Sequence, residues 1–128
     1  MFPPIFAVCA ASVTVQTLLG DGNGRIRLYP FGEAPQADPH AYAVWQIIGG
    51  APENSLACAP DLDRYAVQVD VYARTADEAR AAATALRDAI EQDFVRGGYV
   101  VAWNGEMRDP ATRAYRISFS SDWYSPRA

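Results

Sequence analysis

The residues that could perform chemistry are few and lie far apart in the sequence. His40 is the only histidine among the 128 residues, so every Ser–His or Cys–His mechanism would depend on it. It ends the loop "GEAPQADPH", with Asp38 two residues before it, and the pair lacks a third ligand at the spacing of a metal site. We therefore expect a solvated surface loop here, without a bound metal.

Two other acidic stretches match known sites only in part. A calcium loop starting at Asp21 would need glycine at its sixth position and an acidic residue at its twelfth, where Ile26 and Gly32 stand. The glycines of "DGNGR" follow a predicted helix, whereas a phosphate-binding glycine loop follows a strand. Asp61 and Asp63 are more typical of a capped turn than of an acid–base pair. The sequence thus indicates no catalytic residue, no metal, no cofactor and no enzyme.

The composition predicts a single ordered domain, residues 1–128. Half of the residues are apolar and 20% are charged, which is typical of a folded chain. The net charge of −4 argues against a general nucleic-acid binder. No apolar run approaches the roughly 20 residues that span a bilayer, and the first residues lack the basic start of a secretory signal. We expect no membrane contact.

Cysteine usage predicts a reducing, intracellular site of synthesis. Cys9 and Cys58 are the only cysteines, and two such residues do not make a disulfide framework. Cys9 falls on the apolar face of a predicted helix, where a buried, reduced thiol is the usual outcome.

Periodic patterns predict seven elements. Apolar residues at three- and four-residue spacing indicate a helix from Pro3 to Leu19, which the glycines of "GDGNG" end. Three strands follow, in "RIRLYPF", "AYAVWQIIGG" and "RYAVQVDVYAR". Thr75 caps the next helix and Glu78 completes a capping box, and two more strands lie between residues 99 and 124. The order α-β-β-β-α-β-β predicts an α+β fold, with two helices packed on one face of a small, largely antiparallel sheet. We expect residues 123–128 to form a flexible C-terminal tail.

The third strand has two unlike faces. The valines of "RYAVQVDVYAR" point one way, whereas Gln68, Asp70 and Tyr72 point the other way. In the helix that follows, small residues such as Ala79 and Ala83 form the apolar stripe and allow the helix to lie close to the sheet. We expect the valine face to be covered and the polar face to remain free for neighbours.

Three segments carry a resemblance to a known family: "RIRLYP", "GGAPENSL" after a strand, and "VQVDVYARTADEARAAATALRDAI". In this order and spacing, over residues 1–122, the chain resembles the tail-completion, or tail-terminator, proteins of long-tailed bacteriophages, which are also called head–tail joining proteins. The resemblance implies a structural virion protein of the tail or neck, assembled in the cytoplasm of the bacterial host. Copies of it, commonly six, would form a ring on the tail-tube protein, stop tube polymerisation and meet the head-connector or stopper protein. It also implies that the protein is not an enzyme. From the acidic charge balance we expect DNA to pass through the ring without specific binding.

Nine residues are candidates for these contacts. The loops 29–40 and 50–62 are long for so small a domain, and such loops often carry function. For Leu56, packing within its own loop is at least as good an explanation. The aromatic C-terminal segment departs from the family pattern and suggests a partner surface. The candidates are Tyr29, Phe31, Asn54 and Leu56 for subunit or tube contacts, Gln68, Asp70 and Tyr72 for neighbouring subunits, and Trp123 and Tyr124 for a partner.

Two alternatives to a tail terminator remain open from the sequence. One is another neck component of the same particle, such as a connector adaptor. The other is a small cytoplasmic α+β binding module or a subunit of an enzyme complex. The sequence also leaves open whether the parent particle is an infectious phage, a defective prophage or a gene-transfer particle.

Overall fold

Three helices and five strands lie within residues 2–36, 39–53 and 61–127, the part of the chain that the computed structural model describes. Their order is α-α-β-β-β-α-β-β, so the α+β prediction is confirmed. The elements are α1 (Ile5–Ala10), α2 (Val13–Leu19), β1 (Leu28–Pro30), β2 (Tyr42–Glu53), β3 (Leu62–Ala73), α3 (Ala76–Gln92), β4 (Tyr99–Arg108) and β5 (Tyr115–Pro126).

The N-terminal helical segment is two helices and not the single one predicted. Helix α1 ends at Ala10, and Ser12 caps α2 because its hydroxyl accepts a hydrogen bond from the Val15 amide at 3.3 Å. A serine hydroxyl at this position satisfies an amide that has no partner inside the helix. The apolar spacing continues across the break, so the predicted buried face is retained. Its buried members are Ile5, Val8, Cys9, Val15 and Leu19.

The five strands form one sheet in the order β1-β2-β3-β5-β4. Strand β1 runs parallel to β2, with Leu28 opposite Ala43, and the other neighbouring strands are antiparallel. Strand β3 is therefore central, and β4 is an edge strand. The prediction of a largely antiparallel sheet is confirmed.

The core lies between the valine face of β3 and the helices. Residues directly opposite each other in antiparallel strands share a face, so Val69 and Phe119, which are paired, both point into it. Helix α3 contacts β3, β4 and β5, whereas α1 and α2 contact α3 and each other. The sequence interpretation predicted that the helices pack on one face of the sheet. The structure differs, because the helices are not strictly layered on one face.

The predicted helix start at Thr75 is confirmed. The Thr75 Oγ1 atom accepts a hydrogen bond from the Glu78 amide at 3.1 Å, and the acidic residues in the first turn complement the helix dipole. Helix α3 ends at Gln92, and the amides of Gly97 and Gly98 then bond back to the carbonyl oxygens of Asp93 and Ile90. These close approaches leave no room for a Cβ atom at Gly97.

The C-terminal residues pair in the sheet, in contrast to the predicted flexible tail. Strand β5 continues to Pro126, which lies opposite Leu62 of β3. The Arg127 guanidinium then holds the Asp63 carboxylate with two hydrogen bonds of 3.0 and 2.9 Å. The partner strand begins some 60 residues earlier in the chain, so local composition could not reveal this pairing.

The predicted burial of Cys9 leads to a testable difference in reactivity. Cys9 is fully buried, and desolvation raises the pKa of its thiol to about 12. The thiolate is the reactive form of cysteine. In a Cys58→Ser variant, which leaves Cys9 as the single thiol, we expect very slow labelling by a thiol reagent at mildly alkaline pH and rapid labelling after unfolding in urea. Equally rapid labelling in both states would contradict the burial of Cys9.

Candidate assembly surface

One face of the sheet carries a layer of polar side chains directed away from the core, called here the open face. On β3 it contains Gln68, Asp70 and Tyr72, as predicted from their alternation with the valines. The Gln68 Nε2 atom donates a hydrogen bond to Asp70 Oδ1 at 3.1 Å. The neighbouring strands continue this layer in register. Its members are Gln46, Gln68, Asp70, Tyr72, Arg116, Ser118 and Ser120.

The open face extends onto the edge strand β4 through Asn104. The Asn104 Nδ2 atom donates to Ser120 Oγ at 2.8 Å. On the opposite side of the same strand, Glu106 accepts two hydrogen bonds from the Arg80 guanidinium of α3, at 2.6 and 3.0 Å. These bonds hold the pKa of the Glu106 carboxyl below its usual range. Side chains of β4 therefore form hydrogen bonds both with β5 of the sheet and with helix α3.

Two of the predicted contact residues come together at one end of the open face. Tyr72 stacks on Tyr42, with ring centroids 5.0 Å apart and an angle of 16° between the rings. Tyr29 of β1 lies next to Tyr42, at 6.4 Å between centroids. Phe31, immediately after β1, is exposed. A surface of aromatic side chains thus extends across β3, β2 and β1 at this end of the sheet.

The two C-terminal aromatic candidates have opposite environments. Tyr124 is exposed on the open face, and its hydroxyl lies 3.5 Å from that of Tyr99, an interaction that raises the pKa of the Tyr124 phenol. Trp123 is only 1% exposed and packs in the core. Its assignment to a partner surface was wrong, because alternation along β5 turns it inward. Asn54 and Leu56 lie outside the described residues.

Sequence interpretation did not identify which strands form the exposed sheet edges. Strand β4 is exposed along most of its length, and its apolar residues Val101, Trp103 and Met107 face solvent. Ile47 and Ile48 of β2 are exposed as well. The apolar run "YVVAW" was a signal for β4, but it predicts an edge only once the strand order is known.

Among the described residues, His40 belongs to no cluster of potential metal ligands. His40 lines two shallow grooves of about 550 and 410 Å³, whose walls also include Arg74. Residues 2–36, 39–53 and 61–127 contain no group of three or more His, Cys, Asp or Glu side chains that could hold a metal ion. In the same ranges, no helix is both long enough and apolar enough to cross a bilayer.

The described residues form an α+β fold with an open sheet face and exposed sheet edges. Residues 3–125 match the family model of the tail completion protein gp17, and the chain belongs to this family. A chain in the virion of a native gene transfer agent particle has a similar fold, with a TM-score of 0.68 and 19% identity over 96% of this chain and 92% of that chain. No match was found among curated protein sequences. The resemblance seen in the sequence is therefore confirmed.

Membership of this family makes the chain a virion component with a structural or assembly role in a phage-type tail. Such a component interacts with other tail and head proteins of the particle. This result favours the virion interpretation over a cytoplasmic binding module.

Proposed function

We propose that the chain is the tail terminator of its particle. In this role, six copies close into a ring on the end of the tail tube, stop the addition of tube subunits and offer a surface to the head connector. The role is structural and not enzymatic. Assembly takes place in the cytoplasm of the host.

One observation carries this proposal. The sheet presents different surfaces on different sides, with β4 at one edge, β1 and β2 at the other, and the polar open face between them. A ring needs a surface on each copy that complements a different surface on the next copy, and a rotation that closes. Two unlike edges on one rigid sheet supply such a pair of surfaces.

The charge of the chain suits the passage of DNA through such a ring. Six copies with a net charge of −4 each would carry about 24 negative charges, which repel DNA phosphates. A ring structure with a predominantly basic bore would contradict this part of the proposal.

The mass of the purified protein in solution tests the proposal. Light scattering across a concentration series, with the protein alone and then with its tail-tube subunit, should show a species of about six times the 14.0 kDa chain mass in at least one condition. A ring that forms alone but never associates with the tube would favour a connector adaptor instead. A protein that stays monomeric in both conditions would contradict ring formation.

A further inference from the structure

The sheet has two free edges within the described residues. Strand β4 pairs with β5 on one side and with no described strand on the other. Strand β1 covers only residues Ala43–Trp45 of β2, so no described strand pairs with the outer side of β2 from Gln46 to Glu53. Backbone N–H and C=O groups along a free edge are a template for pairing with another chain.

The same local feature occurs on both free edges. Strand β4 has a bulge at Val101, between the paired residues Val100 and Ala102, and β2 has one at Ile48, between Ile47 and Gly49. Val101 is 50% exposed and Ile48 is 49% exposed. Each bulge therefore places an exposed β-branched apolar side chain on an edge strand, next to backbone groups that pair with no other described strand.

The central segments of both edges lack the charged residues that usually keep sheet edges apart; Pro52 and Glu53 stand only at the end of the β2 edge, and Glu106 and Arg108 only at the end of β4. Natural edges are protected by Lys, by other charged side chains or by Pro. The segments 99–105 and 46–51 contain no charged residue and no proline. A bulge can itself protect an edge by bending it away, but both bulges here leave an aliphatic side chain exposed. Depletion of charge is also typical of the centre of a protein interface.

The strand directions allow the two edges to join in copies of equal orientation. Strand β4 is antiparallel to β5 and β5 is antiparallel to β3, so β4 runs in the direction of β3. Strand β2 is antiparallel to β3. When two copies stand side by side in the same orientation, β4 of one copy meets β2 of the next as an antiparallel pair.

The side chains of the two edges also differ in size in a complementary way. The β4 edge presents the large exposed side chains of Val101, Trp103 and Met107. The β2 edge contains Gly49, Gly50 and Ala51, and the space above Gly49 is open because a Cβ atom there would have no neighbour within 4 Å. Side chains of neighbouring strands lie side by side on each face of a sheet. In the joined sheet, the large side chains of β4 would therefore lie beside the small residues 49–51 of β2.

We propose that β4 of one copy pairs with residues 46–51 of β2 of a second copy, so that one sheet continues from subunit to subunit. This inference rests on the proposed ring and identifies the contact that builds it. The contact joins two different edges, so each copy uses one edge on each side. It is a heterologous contact, and in a closed ring both edges of every copy are paired.

Lysine substitutions at the two bulges test the contact. Val101→Lys and Ile48→Lys each place a charge on one edge, where pairing would bury it without a partner. Val13→Lys is the matched control, because Val13 is an exposed β-branched residue at the start of α2 and belongs to neither edge. Under conditions in which the wild-type protein assembles, light scattering should show monomers for both edge variants and normal assembly for the control.

A mixture of the two edge variants gives the sharper result. V101K retains an intact β2 edge and I48K an intact β4 edge, so together they should form a one-to-one dimer that cannot grow. A symmetric interface made from a single patch would not give this outcome. A mixture that stays monomeric, or that forms larger assemblies, would overturn the pairing of these two edges.

Hydrogen exchange on the wild-type protein provides a second measurement that does not depend on a variant folding. Amides of the segments 101–105 and 48–51 should become protected on assembly. Unchanged exchange in both segments, or normal assembly of V101K and I48K, would overturn the proposed contact but not the proposed ring. Loss of assembly in V13K as well would overturn the assignment to the edges. A wild-type protein that never self-associates would overturn the ring and the contact together.

Discussion

Replacement of Trp123 by alanine is expected to lower the free energy of unfolding by about 3–5 kcal/mol, the usual cost of removing a large aromatic side chain from a core. Trp123 is almost fully buried, and its Nε1 atom donates a hydrogen bond to Ser121 Oγ at 2.9 Å. The Ser121 hydroxyl in turn donates to the Val67 carbonyl oxygen at 3.3 Å. The substitution therefore leaves a cavity and removes the hydrogen bond that Trp123 donates to Ser121.

Urea unfolding followed by circular dichroism measures this effect. Phe94→Ala is the control, because Phe94 is 96% exposed and an exposed side chain of this kind contributes no more than about 0.5 kcal/mol. If Trp123→Ala destabilised the protein no more than Phe94→Ala did, Trp123 would not occupy the core.

Enlargement of Ala83 to leucine should destabilise the protein by about 1–3 kcal/mol through overpacking. Ala83 is fully buried on α3, which contacts β3, β4 and β5. Its buried neighbours Ala79 and Ala82 are equally small, so the helix lies close to the sheet along this stripe. A leucine side chain would push the two layers apart.

The matched control for this change is Ala81→Leu on the exposed side of the same helix. Both variants replace alanine by leucine, which have similar helix propensities, so the difference between them reports on packing alone. Ala81→Leu should stay within about 0.5 kcal/mol of the wild type. Equal urea midpoints for the two variants would show that Ala83 is not packed against the sheet.

The strand–helix unit of β3 and α3 was predictable because its signals are local. Alternation of valines with Gln68, Asp70 and Tyr72 identifies the two faces of β3, and the Thr75 cap marks the helix start. The break between α1 and α2 was missed for a related reason. The apolar spacing runs through it unchanged, and only the hydrogen bond to the Ser12 hydroxyl reveals that a new helix begins.

The environment of the C-terminal segment was not predictable, because it depends on contacts between distant parts of the chain. Residues 123–126 pair with the first residues of β3, and this pairing turns Trp123 into the core while Tyr124 stays on the open face. The exposed edges depend in the same way on strand order. The run "YVVAW" is apolar in sequence, but only its position beside β5 and beyond the core makes Val101 and Trp103 surface residues.

The length of tail tubes assembled with and without this protein tests the central claim most directly. Tube subunits would be polymerised in its presence, and the lengths and ends of the tubes measured by electron microscopy, with the edge variant Ile48→Lys as the control. The account predicts shorter tubes that carry a ring at one end with the wild-type protein, and long, uncapped tubes with the control. Tubes of unchanged length and without a ring in the presence of the folded wild-type protein would contradict it.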